Sequence, residues 1–95
     1  MSPNPMEPAT VEVTLLTQPD CGMCDQAKTV LSRLAGEGLI TVRELDLSGA
    51  EGRELAVRHG VLFAPGVLLD GQPFSHGRLS EKKLRRHLAH TVGAH

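Results

Sequence analysis

Gln18-Pro19-Asp20-Cys21-Gly22-Met23-Cys24 is the stretch on which the reading of this chain turns. Before it, Val11 to Thr17 alternates apolar and polar residues and then becomes apolar, rich in β-branched side chains, as a strand entering a core does. After it the period changes. Cys24, Ala27, Leu31 and Leu34 recur at three- and four-residue spacing with Val30 alongside, and Gly36 and Gly38 supply stop signals, which predicts an amphipathic helix of about three turns. The cysteine pair therefore falls where a strand hands over to a helix. Backbone N–H groups and a partial positive charge at a helix N-terminus favour a thiolate over a thiol. The thiolate is the attacking species. Cys21, at the cap, is the expected nucleophile; Cys24, one turn inside and shielded, is the expected resolving thiol. Gly22 and Met23 are small or pliable enough to let the ring close, and Met23 adds an apolar contact beside the reactive sulfur.

Working outward, Leu39 to Asp46 reads as a second strand, begun by Ile40, Thr41 and Val42. Strand, helix and strand with short joins form a βαβ unit, so these two strands should be parallel. A short helix from about Ala50 to Arg58 is closed by Gly60, placed for a left-handed cap. Phe63 to Leu69 reads as a strand interrupted by Pro65; Asp70-Gly71 signals a tight turn, after which Gln72 to Phe74 should return antiparallel. Ser80 is a good N-cap for a last helix with Leu84, Leu88 and Val92 along one stripe. The order is β-α-β-α-β-β-α, an α/β arrangement. Residues 10–95 are expected to form one domain, and residues 1–9, with three prolines, a flexible tail.

A chain of 95 residues suffices for one hydrophobic core and is too short for two. With Phe63 and Phe74 as its only aromatics, a reader of nucleic acid by base stacking is disfavoured, and a net charge of −1 argues against a general polyanion binder. From Gly71 to His95, Arg78, Lys82, Lys83, Arg85 and Arg86 against Glu81 make the stretch locally basic, a helix face that reads as solvated surface. No apolar run is long enough to span a membrane, and the first residues lack the basic and apolar blocks of a secretory signal, so a soluble cytoplasmic protein is expected. In that reducing compartment a cysteine pair points to redox chemistry or metal binding rather than a permanent staple.

An isolated C-x-x-C spacing also fits half a zinc site. His59, His76, His87 and His90 are available to complete one, with His87 and His90 spaced one turn apart. Zinc knuckles normally replace a core, whereas this chain patterns a full one, so redox chemistry is the favoured reading and no metal is expected. Two other classes remain open. One is a non-catalytic adaptor docking through the basic last helix or the surface near Met23 and Pro65; the other is an iron–sulfur binder bridging chains through their cysteine pairs.

The region from Val11 to about Val92 resembles the thioredoxin superfamily in a minimal form close to the glutaredoxins. Two separated motifs carry the resemblance: strand, then Q-P-D-C-G-M-C, then helix; and Gly60-Val61-Leu62-Phe63-Ala64-Pro65 leading into Gly66-Val67-Leu68-Leu69-Asp70-Gly71. It implies a central four-stranded mixed sheet flanked by helices, and thiol–disulfide exchange through a Cys21 mixed disulfide resolved by Cys24. It further implies a cis peptide bond before Pro65, which lies against the cysteine pair, and β-like pairing of the Ala64 backbone with a substrate chain. The remaining substrate-side positions are Gln18, Met23 and Gly77. Gln18 stands where glutathione-using glutaredoxins carry lysine, and Ser75 to Ser80 holds only Gly77 where they carry a Gly-Gly pair and an aspartate. Glutathione binding thus loses its charged anchors, though Arg78 or the Ser80 cap can still receive a carboxylate. Leu15 stands where thioredoxins bury an aspartate, and Asp20 replaces their tryptophan. Asp20 and Asp25 flank the pair and oppose the helix terminus, so a less acidic thiol than that of the strong oxidants is expected. The expected partners are a disulfide-bearing protein or low-molecular-weight thiol and an unidentified reductase, with no resident cofactor, glutathione as the one co-substrate left open, and a monomeric chain.

Overall fold

The alternation at Val11-Glu12-Val13 produces β1 (Val11–Thr17), and the apolar stripe behind the cysteines produces α1 (Gly22–Gly36). The computed structural model describes residues 10–93; the expected tail, residues 1–9, and the side chain of Val92 lie outside the described residues. There follow β2 (Ile40–Asp46), α2 (Ala50–His59), β3 (Gly66–Leu69), β4 (Gln72–His76) and α3 (Glu81–Gly93), in the expected order. The helix α1 has 15 residues, about four turns rather than three, because its buried stripe runs from Cys24 through Ala27, Val30 and Leu31 to Leu34.

The four strands form one mixed sheet in the order β2-β1-β3-β4. β1 and β2 are parallel, as the βαβ reading requires, while β1 with β3 and β3 with β4 are antiparallel. The β3–β4 turn is Asp70-Gly71, with φ of 48° and 81°, the doubly positive geometry whose twist matches a two-residue hairpin. Ser80 caps α3: its Oγ accepts the Lys83 N–H at 3.2 Å.

One expectation needs correcting. The strand drawn from Phe63 to Leu69 begins only at Gly66. Residues 61–65 form a loop, because Pro65 has no N–H for a ladder and Phe63 turns toward solvent instead of pairing. The return strand, conversely, runs past Phe74 to His76.

Two faces of the sheet are covered. Val11, Val13 and Leu15 of β1 join Ala27, Val30, Leu31 and Leu34 of α1, Leu84 and Leu88 of α3, and Val67 and Leu69 of β3 in the main core. Each fully buried Leu or Val contributes roughly 2 kcal/mol through removal from water. On the opposite face Leu16 and Leu68 are also fully buried. Arg43, which points to that face from β2, pairs with Glu51 of α2 at 2.9 Å and so places α2 there. The approach is close at Gly52, where a Cβ would stand 2.1 Å from the Asp46 carbonyl oxygen, so only glycine lets α2 cross the end of β2.

The register fixes what this architecture gathers. Parallel β1 and β2 both finish at one end of the sheet. Leu16 lies opposite Gly66, and Gly66 opposite His76, so β3 starts and β4 finishes at that same end. The segment 18–24, the loop 61–65 and the bend at Gly77 therefore converge there.

Candidate functional site

Between β1 and α1 the chain turns through exposed Gln18, Pro19 and Asp20. Asp20 takes φ of 53°, a left-handed conformation that a short polar side chain tolerates. That turn delivers Cys21 to the N-cap position with extended backbone (φ −118°, ψ 104°). The Cys21 carbonyl accepts the Asp25 N–H at 3.1 Å, starting the helix. Its Sγ accepts the Cys24 N–H, also at 3.1 Å, so sulfur occupies the place of an ordinary capping oxygen. Cys21 and Cys24 are joined as a disulfide with Cα atoms 5.1 Å apart. The sulfurs differ in access: Cys21 is half-buried, and Cys24 is 1% exposed on the sheet side of α1.

Pro65 is fully buried and follows a cis Ala64-Pro65 bond, as the resemblance implied. Continuing the β1–β3 register beyond Leu16 and Gly66 sets Pro65 beside Thr17, at the strand end leading to Cys21. The Ala64 side chain is buried, while its backbone N–H and C=O make no hydrogen bond among the described residues. The loop is held from behind. Gly77, buried with φ of 82°, donates its N–H to the Pro65 carbonyl at 2.8 Å. Phe63 lies edge-on to the His76 ring with centroids 5.1 Å apart. Of the residues named from sequence, Met23 is 45% exposed at the first turn of α1, and Leu62 and Phe63, 87% and 47% exposed, add apolar surface on the proline loop.

One contributor escaped sequence reasoning. The Gln26 carboxamide donates from Nε2 to the Leu79 carbonyl at 2.8 Å and accepts the Leu79 N–H at Oε1, 3.2 Å away. It thus pairs with the backbone as a strand would, and ties the helix that carries the cysteines to the segment that holds Pro65. Helical periodicity marks only apolar positions; the single available signal was a carboxamide adjoining the buried stripe, two residues past Cys24.

The described histidines do not assemble. His76 meets Phe63 edge-on, the His87 ring lies 5.3 Å from that of Phe74, His59 is on α2, and His90 is exposed on α3. Among the described residues no group of three or more His, Cys, Asp or Glu side chains is placed to hold a metal ion. The basic character of α3 is partly neutralised, since Arg85 is shared by Glu37 and Glu81. At the end of β2, the Asp46 carboxyl is held below its ordinary value by hydrogen bonds from the Ser48 hydroxyl and N–H, an arrangement that shapes the entry to α2. Among the described residues no helix is long and apolar enough to cross a membrane.

Comparison with known proteins adds two findings. The family described as glutaredoxin-like domain (DUF836) matches residues 12–89. Among solved structures, a point mutant of thioredoxin from Halobacterium salinarum NRC-1 is similar with a TM-score of 0.69. The sequences are 24% identical, and the match covers 86% of this chain and 74% of that one, a likeness that speaks to the fold. No curated protein matches this chain.

Proposed function

The chain belongs to the glutaredoxin-like domain family, and from that premise we propose that it is a dithiol–disulfide oxidoreductase that reduces disulfides of polypeptide or small-molecule substrates. The observation that carries the reading is the unequal pair: a half-buried sulfur at a helix N-cap, receiving a backbone N–H, bonded to a buried sulfur one turn on. In the reduced protein the Cys21 thiolate attacks one sulfur of the substrate disulfide. A bond from Cys21 to that sulfur forms, and the other substrate sulfur leaves as thiolate. Cys24 then attacks Cys21, the internal disulfide forms, and the second substrate thiolate departs with the electron pair. The helix N-terminus supports the charge on Cys21 in the attacking form.

The surroundings favour an extended polypeptide substrate. Met23, Leu62 and Phe63 give an apolar rim, and the unpaired Ala64 backbone can pair with a strand laid across the disulfide. Gln18 lies on the exposed approach loop and Gly77 supports the proline loop from behind. Glutathione, received without the usual charged anchors, serves in this reading as a reductant of the internal disulfide; the compartment is the cytoplasm, the chain acts as a monomer, and a separate reductase is the other route of recycling.

Cys24→Ser should trap a covalent adduct between Cys21 and a disulfide substrate, visible by mass spectrometry and released by dithiothreitol. Cys21→Ser should trap none. Absence of any adduct, together with no turnover by the wild-type protein in an insulin-disulfide assay, would remove the enzymatic reading.

A further inference from the structure

We infer that the Thr17 hydroxyl is the hydrogen-bond donor that receives the Cys24 sulfur when the disulfide opens. The inference rests on the proposal that the pair cycles, and it begins from an anomaly in the oxidised protein. Thr17 Oγ1 is sealed from solvent and has no hydrogen-bond partner among the described residues. Such a group costs stability wherever it is left, so its presence in a native structure calls for an explanation. Ser75 Oγ is in the same condition, but it lies on β4, which does not adjoin β1.

The position of Thr17 identifies the use. Side chains alternate along β1, and Val11, Val13 and Leu15 all enter the core beneath α1. Thr17 is the next residue on that face. β1 runs toward the site and α1 runs back from it, so inward residues of strand and helix meet in reverse order. The Val11 N–H reaches Leu39, just beyond α1, and Leu15 shares a crevice with Leu31. Thr17, one strand step nearer the site, therefore falls under the first turns of α1, where Cys24 is the buried residue. Leu15 itself is apolar and fully buried, and offers the sulfur nothing.

The chemistry needs a donor at this spot. When an external thiolate attacks Cys21, a new sulfur–sulfur bond forms, the Cys21–Cys24 bond breaks, and its electron pair passes to the Cys24 sulfur. That sulfur must also withdraw from bonding distance to van der Waals separation. With Cys24 only 1% exposed, the way open to it is into the core, and the charge it carries until solvent supplies a proton is almost without water. The Thr17 hydroxyl keeps its own proton and donates a hydrogen bond to the displaced sulfur. It lacks a partner in the disulfide form because its partner appears only on reduction.

The test compares Thr17→Val, which keeps the shape and removes the donor, with Thr17→Ser, which keeps the donor. Both are equilibrated in dithiothreitol redox buffers, without substrate. In Thr17→Val the equilibrium constant for reduction should fall about tenfold, corresponding to a potential about 30 mV more negative. In Thr17→Ser it should stay within about twofold of wild type. In the valine variant the thermal midpoint of the reduced form should fall relative to that of the oxidised form by an amount consistent with that shift. Should the valine variant fold poorly, Thr17→Ala carries the same expectation. An unchanged constant in the valine variant, or an equal shift in the serine variant, overturns the inference. Because no substrate enters, a failure of turnover in the insulin assay counts against the proposed function alone and leaves this outcome distinct.

Discussion

At its N-terminal end α1 begins with a left-handed Asp20, a half-buried Cys21 and an exposed Met23, and the side-chain atom that caps it is a sulfur. At its C-terminal end the same helix is held by both packing and charge. Leu31 and Leu34 are buried in the core; Glu37 accepts from both terminal nitrogens of Arg85, at 2.9 and 2.6 Å; and Arg33 pairs with Glu81, which Arg85 Nε also reaches at 2.9 Å. Packing and charge hold the helix far from the disulfide. The end that presents sulfur can thereby stay exposed without endangering the helix it starts. Stability and chemistry should then respond separately to mutation at the two ends.

The sharpest break in that comparison is at Cys21. Cys21→Ser should reduce turnover to the uncatalysed level, yet leave the far-ultraviolet circular dichroism and the thermal midpoint of the reduced protein close to wild type. Unfolding of this variant would show that the two ends are not separable. At the other end Leu34→Ala should cost about 3 kcal/mol in urea denaturation through the cavity it leaves. The rate of exchange per folded molecule should change by less than about twofold. Gln26 lies between these extremes. Gln26→Ala leaves the Leu79 N–H and C=O without their partner and should cost about 1–2 kcal/mol. Because the same segment holds Pro65 through Gly77, KM for a polypeptide disulfide should rise more than kcat falls. Gln26→Glu, which can still accept the Leu79 N–H, should recover part of the loss; equal effects in both variants would argue against the clamp.

The difference between the ends also explains what could be read from sequence. The core side of α1 was legible because burial imposes a period: Cys24, Ala27, Val30, Leu31 and Leu34 are all buried in the structure. The hairpin was legible because Asp70-Gly71 accepts positive φ, and α2 ended at Gly60 for the same reason. The start of β3 was not. Phe63 looks like a strand residue by composition, but apolar character alone does not separate a paired segment from an exposed rim. Partners distant in sequence were hidden as well. Gln26 meets Leu79 across 53 residues, and Arg85 meets Glu37 across 48, contacts that no local pattern announces. The cysteines themselves stood out because the chemistry proposed for them depends on a strand-to-helix junction, which is a local feature; Thr17, whose inferred role depends on sheet register, did not.

The smallest effect belongs to the charge clasp, and its signature is in its pH dependence. The Arg85 guanidinium, through its hydrogen bonds first and its charge second, holds the Glu37 carboxyl below its ordinary value of 4.5. A carboxyl lowered by folding adds stability that is fully present above its unfolded value and disappears as pH falls through the lower folded one. Glu37→Gln should therefore lower the thermal midpoint slightly at neutral pH. The difference from wild type should hold down to about pH 5 and close as the solution becomes more acidic. Both side chains are partly exposed, so added salt should shrink the difference as well. Asp46, lowered by Ser48 at the other end of the sheet, remains in the variant, so acid sensitivity should be reduced rather than abolished. A midpoint difference that persists undiminished at acid pH would mean that Glu37 contributes by packing and not by charge. A change in exchange rate with the same substitution would mean that the clasp reaches the disulfide after all, and the two ends of α1 would have to be treated as one coupled unit.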